Sequence, residues 1–254
     1  MNWSHIFWQV PYKVCMDGWN GLGNFLYKTV FGFVFERSWK ILWPALGETI
    51  YMTVLSTLLS YIIGIALGVL LVVTRKGGIK PMPRLNTVLG TVINFLRSIP
   101  FIILLVMLLN VTLAVTGRMT GTMTISFPLT ISAFPYVARM VEGSLMEVDG
   151  GVIEAAKAMG STTWQIIWKV LIPESVPSLV TGAAMAVTTI LAYTAMVSAV
   201  GGGGIGAYAI TKGYQRGKKY YDFMYVASAV LVLMVQVIAI TGTRLTRRLD
   251  HRIR

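Results

Sequence analysis

Residues 147–173 read EVDGGVIEAAKAMGSTTWQIIWKVLIP, which is not the composition of an ordinary loop. The run EAAKA within this segment consists of strong helix formers. Gly160 follows it and can end a helix in the left-handed conformation. Thr162 and Gln165 have the spacing of a capping box, which predicts a second helix that ends at Pro173. The segment therefore predicts two short helices joined at a glycine, which we call the elbow.

The predicted elbow carries apolar residues that a short, solvated unit cannot bury, among them Ala155, Met159 and Trp164. An apolar patch on a compact polar segment is typical of a surface that binds a partner protein. A pair of interfacial helices lying on the lipid is the alternative interpretation. Four acids and two lysines between Leu145 and Ser175 make the segment acidic in an otherwise basic chain.

Hydrophobic stretches long enough to cross a membrane flank the elbow on both sides, since a spanning helix needs roughly 20 largely apolar residues. They lie at about 49–73, 88–115, 125–141, 176–200 and 223–243, with the elbow at 145–175. Of the 254 residues, 55% are hydrophobic and 13% are charged, against about 25% charged residues in soluble domains. We therefore predict an all-α polytopic membrane protein, and exclude a disordered chain, an ordinary cytosolic enzyme and a basic nucleic-acid arm.

The net charge of +12 results from 22 Lys and Arg against 10 Asp and Glu. The linker after the first span contains Arg75, Lys76, Lys80 and Arg84, and the tail at 246–254 is also basic. Basic residues flank spans on the cytoplasmic side, so the first linker, the elbow and the C-terminus are predicted to be cytoplasmic. The linker after the fourth span opposes this orientation with Lys212, Arg216, Lys218 and Lys219.

Residues 1–44 form an N-terminal extension to the predicted transmembrane domain at 45–245. Their tryptophans suit a membrane interface, where an amphipathic ring is stable. The extension lacks a basic n-region and a small-residue cleavage site, so it does not have the pattern of a signal peptide. We interpret it as an interfacial helix, with a sixth, short span as the alternative.

Several motifs together resemble the permeases of ABC importers. The elbow is similar to their EAA loop: Glu154-Ala155-Ala156, then Gly160, then Val170-Leu171-Ile172-Pro173. The family usually has Ile and Leu where this chain has Val170 and Ile172. The stretch NFLRSIPFIILL at 94–105 resembles the second-span signature of amino-acid permeases. Further runs at 138–142, 169–174, 193–196 and 213–214 are most similar to the methionine permease subfamily, and the resemblance covers about residues 46–250.

The resemblance implies a type I ABC importer fold with five core helices, used as a homodimer in the cell membrane. It implies two copies of a separate ATPase bound at the elbows and an extracytoplasmic binding protein that delivers methionine. The ATPase-coupling residues would be Glu154, Ala155, Ala156, Gly160 and Pro173. Another amino acid is the alternative substrate.

Two further sets of site residues are predicted. Arg97 interrupts an apolar stretch, where an unpaired charge costs about 2.5–3.5 kcal/mol, so we predict a structural ion pair with Glu142. Snorkelling of Arg97 to the interface is the alternative. Tyr193 and Met196 lie three residues apart on the fourth span and are predicted to line the substrate pathway, because a polarizable thioether suits such a path.

Other classes of protein lack the residues they need. A secondary transporter would use intramembrane carboxylates, and an intramembrane enzyme would need His, Cys or a metal constellation within the spans. The chain has one cysteine, Cys15, and two histidines near its ends. It contains no Walker A sequence, so no catalytic site, metal or cofactor is expected on this chain, and ATP and Mg²⁺ would bind the partner ATPase.

Overall fold

A computed structural model describes residues 34–217 and 220–249, and this part of the chain is built from helices. The long helices are α1 (Val34–Thr74), α2 (Pro83–Ser98), α5 (Thr122–Met146), α8 (Ile172–Met196) and α10 (Tyr221–Leu249). Five shorter ones connect them: α3 (Phe101–Met107), α4 (Leu109–Thr116), α6 (Gly150–Ala158), α7 (Thr163–Ile166) and α9 (Gly204–Tyr208). A π-helical segment over Ile167–Leu171 joins α7 to α8.

The first helix begins within the predicted N-terminal extension. Residues 34–44 belong to α1, which continues without a break to Thr74, so the predicted boundary near residue 44 does not separate two elements. Residues 1–33 lie outside the described residues, and with them most of the segment predicted as an interfacial helix or a sixth span.

The second predicted span is not one straight helix. Ile99 has an extended backbone with φ −82° and ψ 124°, and α2 and α3 meet there at an angle of 101°. The break follows from Pro100, because a proline disfavours the α conformation of the residue before it.

At the centre of the bundle lies α5, which packs along α1. The hydroxyls of Ser56 and Ser60 on α1 donate hydrogen bonds across to the carbonyl oxygens of Ser126 (3.1 Å) and Thr130 (3.2 Å). Core residues of α5, including Val137, are fully buried. A buried helix does not need a lipid-like surface, so α5 can carry serine, threonine and proline.

Within residues 34–217 and 220–249, three helical stretches are long and apolar enough to cross a membrane: Leu42–Thr74, Thr163–Val200 and Phe223–Leu249. The bent pair α2–α3 makes a fourth if it is counted as one span. At the position of the third predicted span, α5 is helical but is not among these stretches, because its polar residues lower its hydropathy.

Candidate functional site

Hydrogen bonds at both ends define the first helix of the elbow, α6. At its start, Asp149 Oδ1 accepts a hydrogen bond from the N–H of Gly151 at 2.7 Å. At its end, Gly160 has φ +76°, and the N–H of Ser161 donates to the carbonyl of Ala156 at 3.1 Å. The left-handed helix end predicted from the sequence is therefore present, and glycine adopts it without the strain that a side chain would add.

The second helix of the elbow starts with the predicted capping box. The N–H of Thr162 donates to Gln165 Oε1 at 2.8 Å, and the N–H of Gln165 donates to Thr162 Oγ1 at 3.4 Å. These reciprocal bonds satisfy two of the N–H groups that a helix start leaves without partners.

Pro173 does not end this helix, contrary to the prediction. It lies in the first turn of α8, directly after the π-helical turn over Ile167–Leu171, and the helical path continues from Thr163 to Val200. Proline lacks an N–H and collides with the carbonyl four residues earlier in a regular α-helix. The wider π turn changes the hydrogen-bond pattern at that point, so the helix accommodates the proline. The second elbow helix is thus continuous with the helix that carries Tyr193.

The elbow exposes four apolar residues, which we call the elbow surface: Ala155, Met159, Trp164 and Trp168. Met159 is 79% exposed and Trp164 is 67% exposed. The rings of Trp164 and Trp168 contact each other edge to face, with centroids 5.5 Å apart. Such a cluster of large apolar side chains suits a partner's groove.

The predicted coupling residues are not all exposed. Glu154, Ala155, Gly160 and Pro173 are exposed, whereas Ala156 is buried inside the elbow with 3% exposure. Ala156 therefore packs the elbow together and does not offer its side chain to a partner.

A cleft of about 160 Å³ lies at the break between α2 and α3, and we call it the α2–α3 cleft. The rings of Phe101 and Tyr193 stack in its wall, with centroids 4.3 Å apart and planes within 2°. The cleft is lined by Leu96, Arg97, Ile99, Phe101, Leu104, Ser132, Tyr136 and Tyr193. Three parts of the bundle thus enclose it: the α2–α3 break, α5 and α8.

Met196, the other predicted pathway residue, is not in the wall of the cleft. It ends α8 and is 48% exposed. The structure therefore does not bring Tyr193 and Met196 into one cavity, although both lie on α8.

The predicted Arg97–Glu142 ion pair is not formed among the described residues. Arg139 lies one turn from Glu142 on the same helix, and its Nη1 donates to Glu142 Oε2 at 2.6 Å. Arg139 also donates to Asn94 Oδ1 at 3.1 Å and to the carbonyl of Gly90 at 2.9 Å. One guanidinium thus joins α5 to α2, and Arg97 is left in the cleft wall.

A second polar contact joins α1 to the glycine-rich segment after α8. Glu48 Oε2 accepts from the N–H of Gly204 at 2.7 Å, and Thr49 Oγ1 accepts from the N–H of Ile205 at 2.8 Å. Gly204 has φ +92°, and a Cβ on Gly203 would collide with the Glu48 carboxylate. The glycines are needed here for a left-handed turn and for close approach of the backbone to the carboxylate.

The family described as binding-protein-dependent transport system inner membrane component matches residues 60–254. This chain belongs to that family.

Relatives of this permease support the assignment over most of its length. It is 42% identical to "Probable D-methionine transport system permease protein MetI" of Vibrio cholerae, over 72% of this chain and 80% of that protein. It is 42% identical to the methionine import system permease protein MetP of Bacillus subtilis, over 72% and 81% of the two chains. In structure it resembles a chain of the MetNI methionine ABC transporter in an inward-facing conformation, with a TM-score of 0.82, 39% identity and coverage of 85% and 99%. The permease is thus a multi-pass membrane component with the type I ABC importer fold.

The two polar contacts differ in how visible they are in the permease sequence. Arg139 and Glu142 are opposite charges three residues apart on a helix, a spacing that predicts contact. Glu48 and Gly204 are separated by 156 positions, and no local pattern connects them.

Replacing Arg139 with glutamine is expected to destabilise the permease by about 1–3 kcal/mol, because it leaves the partly buried Glu142 carboxylate without its partner. The double change Arg139→Gln with Glu142→Gln should recover part of that loss. Thermal unfolding of wild type, Arg139→Gln, Glu142→Gln and the double variant measures the coupling. Equal melting temperatures for Arg139→Gln and wild type would contradict it, and Arg84→Gln, an exposed arginine on the neighbouring α2 helix, serves as control.

Proposed function

We propose that this chain is the permease subunit of a binding-protein-dependent ABC importer for methionine. The observation that carries the proposal is the elbow surface, an apolar cluster on a compact, capped unit joined directly to a membrane helix. The names of the relatives in Vibrio cholerae and Bacillus subtilis support methionine as the substrate. Two copies would form the pathway, each providing one half of it across a two-fold axis.

The elbow is the proposed docking site for a separate ATPase, one on each permease copy. Without a Walker A sequence on this chain, ATP and Mg²⁺ would be held by the ATPase, and the permease itself would carry no catalytic site. Basic residues in the first linker and the tail support a cytoplasmic elbow and C-terminus. An extracytoplasmic binding protein would deliver the substrate to the opposite side.

The continuous helix from Thr163 to Val200 supports a simple coupling mechanism. Movement of the ATPases would shift α7, and because Pro173 does not interrupt the helix, the same rod would carry the shift to Tyr193. The other half of the elbow connects to α5 through residues 147–149. Closure of the two ATPases would therefore move α5 and α8 together and change which side of the membrane the pathway faces.

Co-purification tests the proposal. A tagged permease expressed with a candidate ABC ATPase from the same organism should retain that ATPase in detergent. Methionine-loaded binding protein should then raise its ATP hydrolysis in proteoliposomes, whereas unloaded binding protein should raise it less. Methionine uptake that continues without any ATPase would refute the proposal, and stimulation by a different amino acid would favour the alternative substrate.

Tyr193→Ala is expected to reduce the uptake rate severalfold, because it removes one ring of the stacked pair in the α2–α3 cleft. Tyr193→Phe keeps the stack and should retain most uptake. Met196→Ala removes the other predicted pathway residue and should raise the KM for methionine. Initial rates in proteoliposomes provide the measurement. Unchanged kinetics with alanine at both positions would remove α8 from the proposed pathway.

A further inference from the structure

We propose that Arg97 binds the carboxylate of the transported amino acid within the α2–α3 cleft, an inference that rests on the proposed function. Arg97 is the one charged residue among the described residues that line the cleft. A guanidinium offers a planar pair of N–H donors that matches the two oxygens of a carboxylate.

None of the acidic side chains that the structure describes pairs with Arg97. Glu142 is the one acidic residue between residues 75 and 146, and Arg139 already engages it at 2.6 Å. Glu48, on α1, accepts from the backbone of Gly204. Arg97 is exposed and lines the cleft, so a free carboxylate that enters the cleft can pair with a guanidinium that no described acid engages.

The remaining wall of the cleft suits the apolar side chain and the ammonium group of a zwitterionic amino acid. The stacked rings of Phe101 and Tyr193 form an apolar face, and aromatic rings make favourable contacts with a thioether sulfur. Ser132 Oγ already donates its proton to the carbonyl of Pro128 at 2.8 Å. That hydroxyl can therefore only accept, which is what an ammonium group requires.

The bend between α2 and α3 creates this arrangement. A straight helix through 83–107 would place residues 97 and 101 one turn apart on one face, whereas the 101° bend turns the chain at Pro100 and leaves an open cleft. Ile99 and Pro100 thus shape the site, and Arg97 supplies its charge.

Binding of radiolabelled L-methionine to the permease–ATPase complex in phospholipid nanodiscs, without binding protein, tests the inference. The second ligand is 3-(methylthio)propylamine, which keeps the thioether and the ammonium but lacks the carboxylate. Wild type should bind methionine at least about tenfold more tightly than the amine, since a hydrogen-bonded charge pair contributes on that order. Arg97→Gln should lose this preference, Arg97→Lys should retain part of it, and Arg84→Gln, exposed on the same helix, should keep all of it.

The two-ligand design separates a binding role from a structural one. If Arg97 only supports the fold, Arg97→Gln weakens both ligands equally and the inference is overturned. Equal methionine affinity in wild type and Arg97→Gln overturns it as well, and would indicate that Arg97 faces lipid headgroups. If wild type binds no methionine in the nanodisc while loaded binding protein still stimulates the ATPase, the cleft site fails and the proposed function stands. If that stimulation is also absent, the proposed function fails.

Discussion

A permease carrying both Met159→Glu and Trp164→Glu is expected to lose its ATPase and with it all methionine uptake. Both side chains are largely exposed on the elbow surface, and neither supports the elbow's own hydrogen bonds. The few hot-spot residues at the centre of an interface cost about 2 kcal/mol or more of binding free energy each when they are truncated. Burial of two new carboxylates adds a desolvation penalty, so association should weaken by more than about a hundredfold.

The matched control for this change is Gln165→Glu. It adds a negative charge beside Trp164 but leaves the apolar side chains in place, and glutamate can also complete the capping box with Thr162. The control should keep the ATPase bound in a pull-down from detergent. Full co-purification of the ATPase with the double variant would show that the partner binds elsewhere, and an unchanged melting temperature of the isolated permease would show that the elbow itself stays folded.

The largest effect on stability is expected from leucine at both Gly64 and Gly68. These glycines of α1 lie against Val137 and Val141 of α5: an added Cβ would meet Val137 Cγ1 at 2.5 Å and Val141 Cγ1 at 2.6 Å. Overpacking of this kind costs about 1–3 kcal/mol per site, and the two sites share one interface along the central helix. The double variant should therefore be lost from the membrane fraction or unfold at a much lower temperature.

Gly47→Leu in the same helix is the control, since nothing lies within 4 Å of a Cβ added there. It changes the hydrophobicity and the backbone entropy of α1 in the same direction without the collision at Cβ. Fluorescence-detected size-exclusion chromatography with a temperature ramp compares the three proteins. If the Gly64→Leu, Gly68→Leu double variant has the same melting temperature as the Gly47→Leu control, α1 and α5 do not pack as closely as the structure shows.

Several features of the elbow were predictable because each depends on residues a few positions apart. The capping box of Thr162 and Gln165 and the left-handed Gly160 are both present. The end predicted at Pro173 was wrong because the rule for proline assumes a regular α-helix, and one π turn removes the conflict. The predicted ion pair between Arg97 and Glu142 was wrong for a different reason: a closer partner for Glu142, Arg139, lies on the same helix.

By itself, the sequence determined the membrane class and the elbow with its exposed tryptophan, since hydropathy and capping are local properties. Tertiary structure alone decided which polar groups meet: Arg139 with Asn94 and Gly90, and Glu48 with Gly204 across 156 positions. It also decided that α2 and α3 enclose a cleft against Tyr193. These contacts depend on which faces of the helices pack together. Close packing of side chains sets that choice, as where Gly64 and Gly68 of α1 lie against Val137 and Val141 of α5.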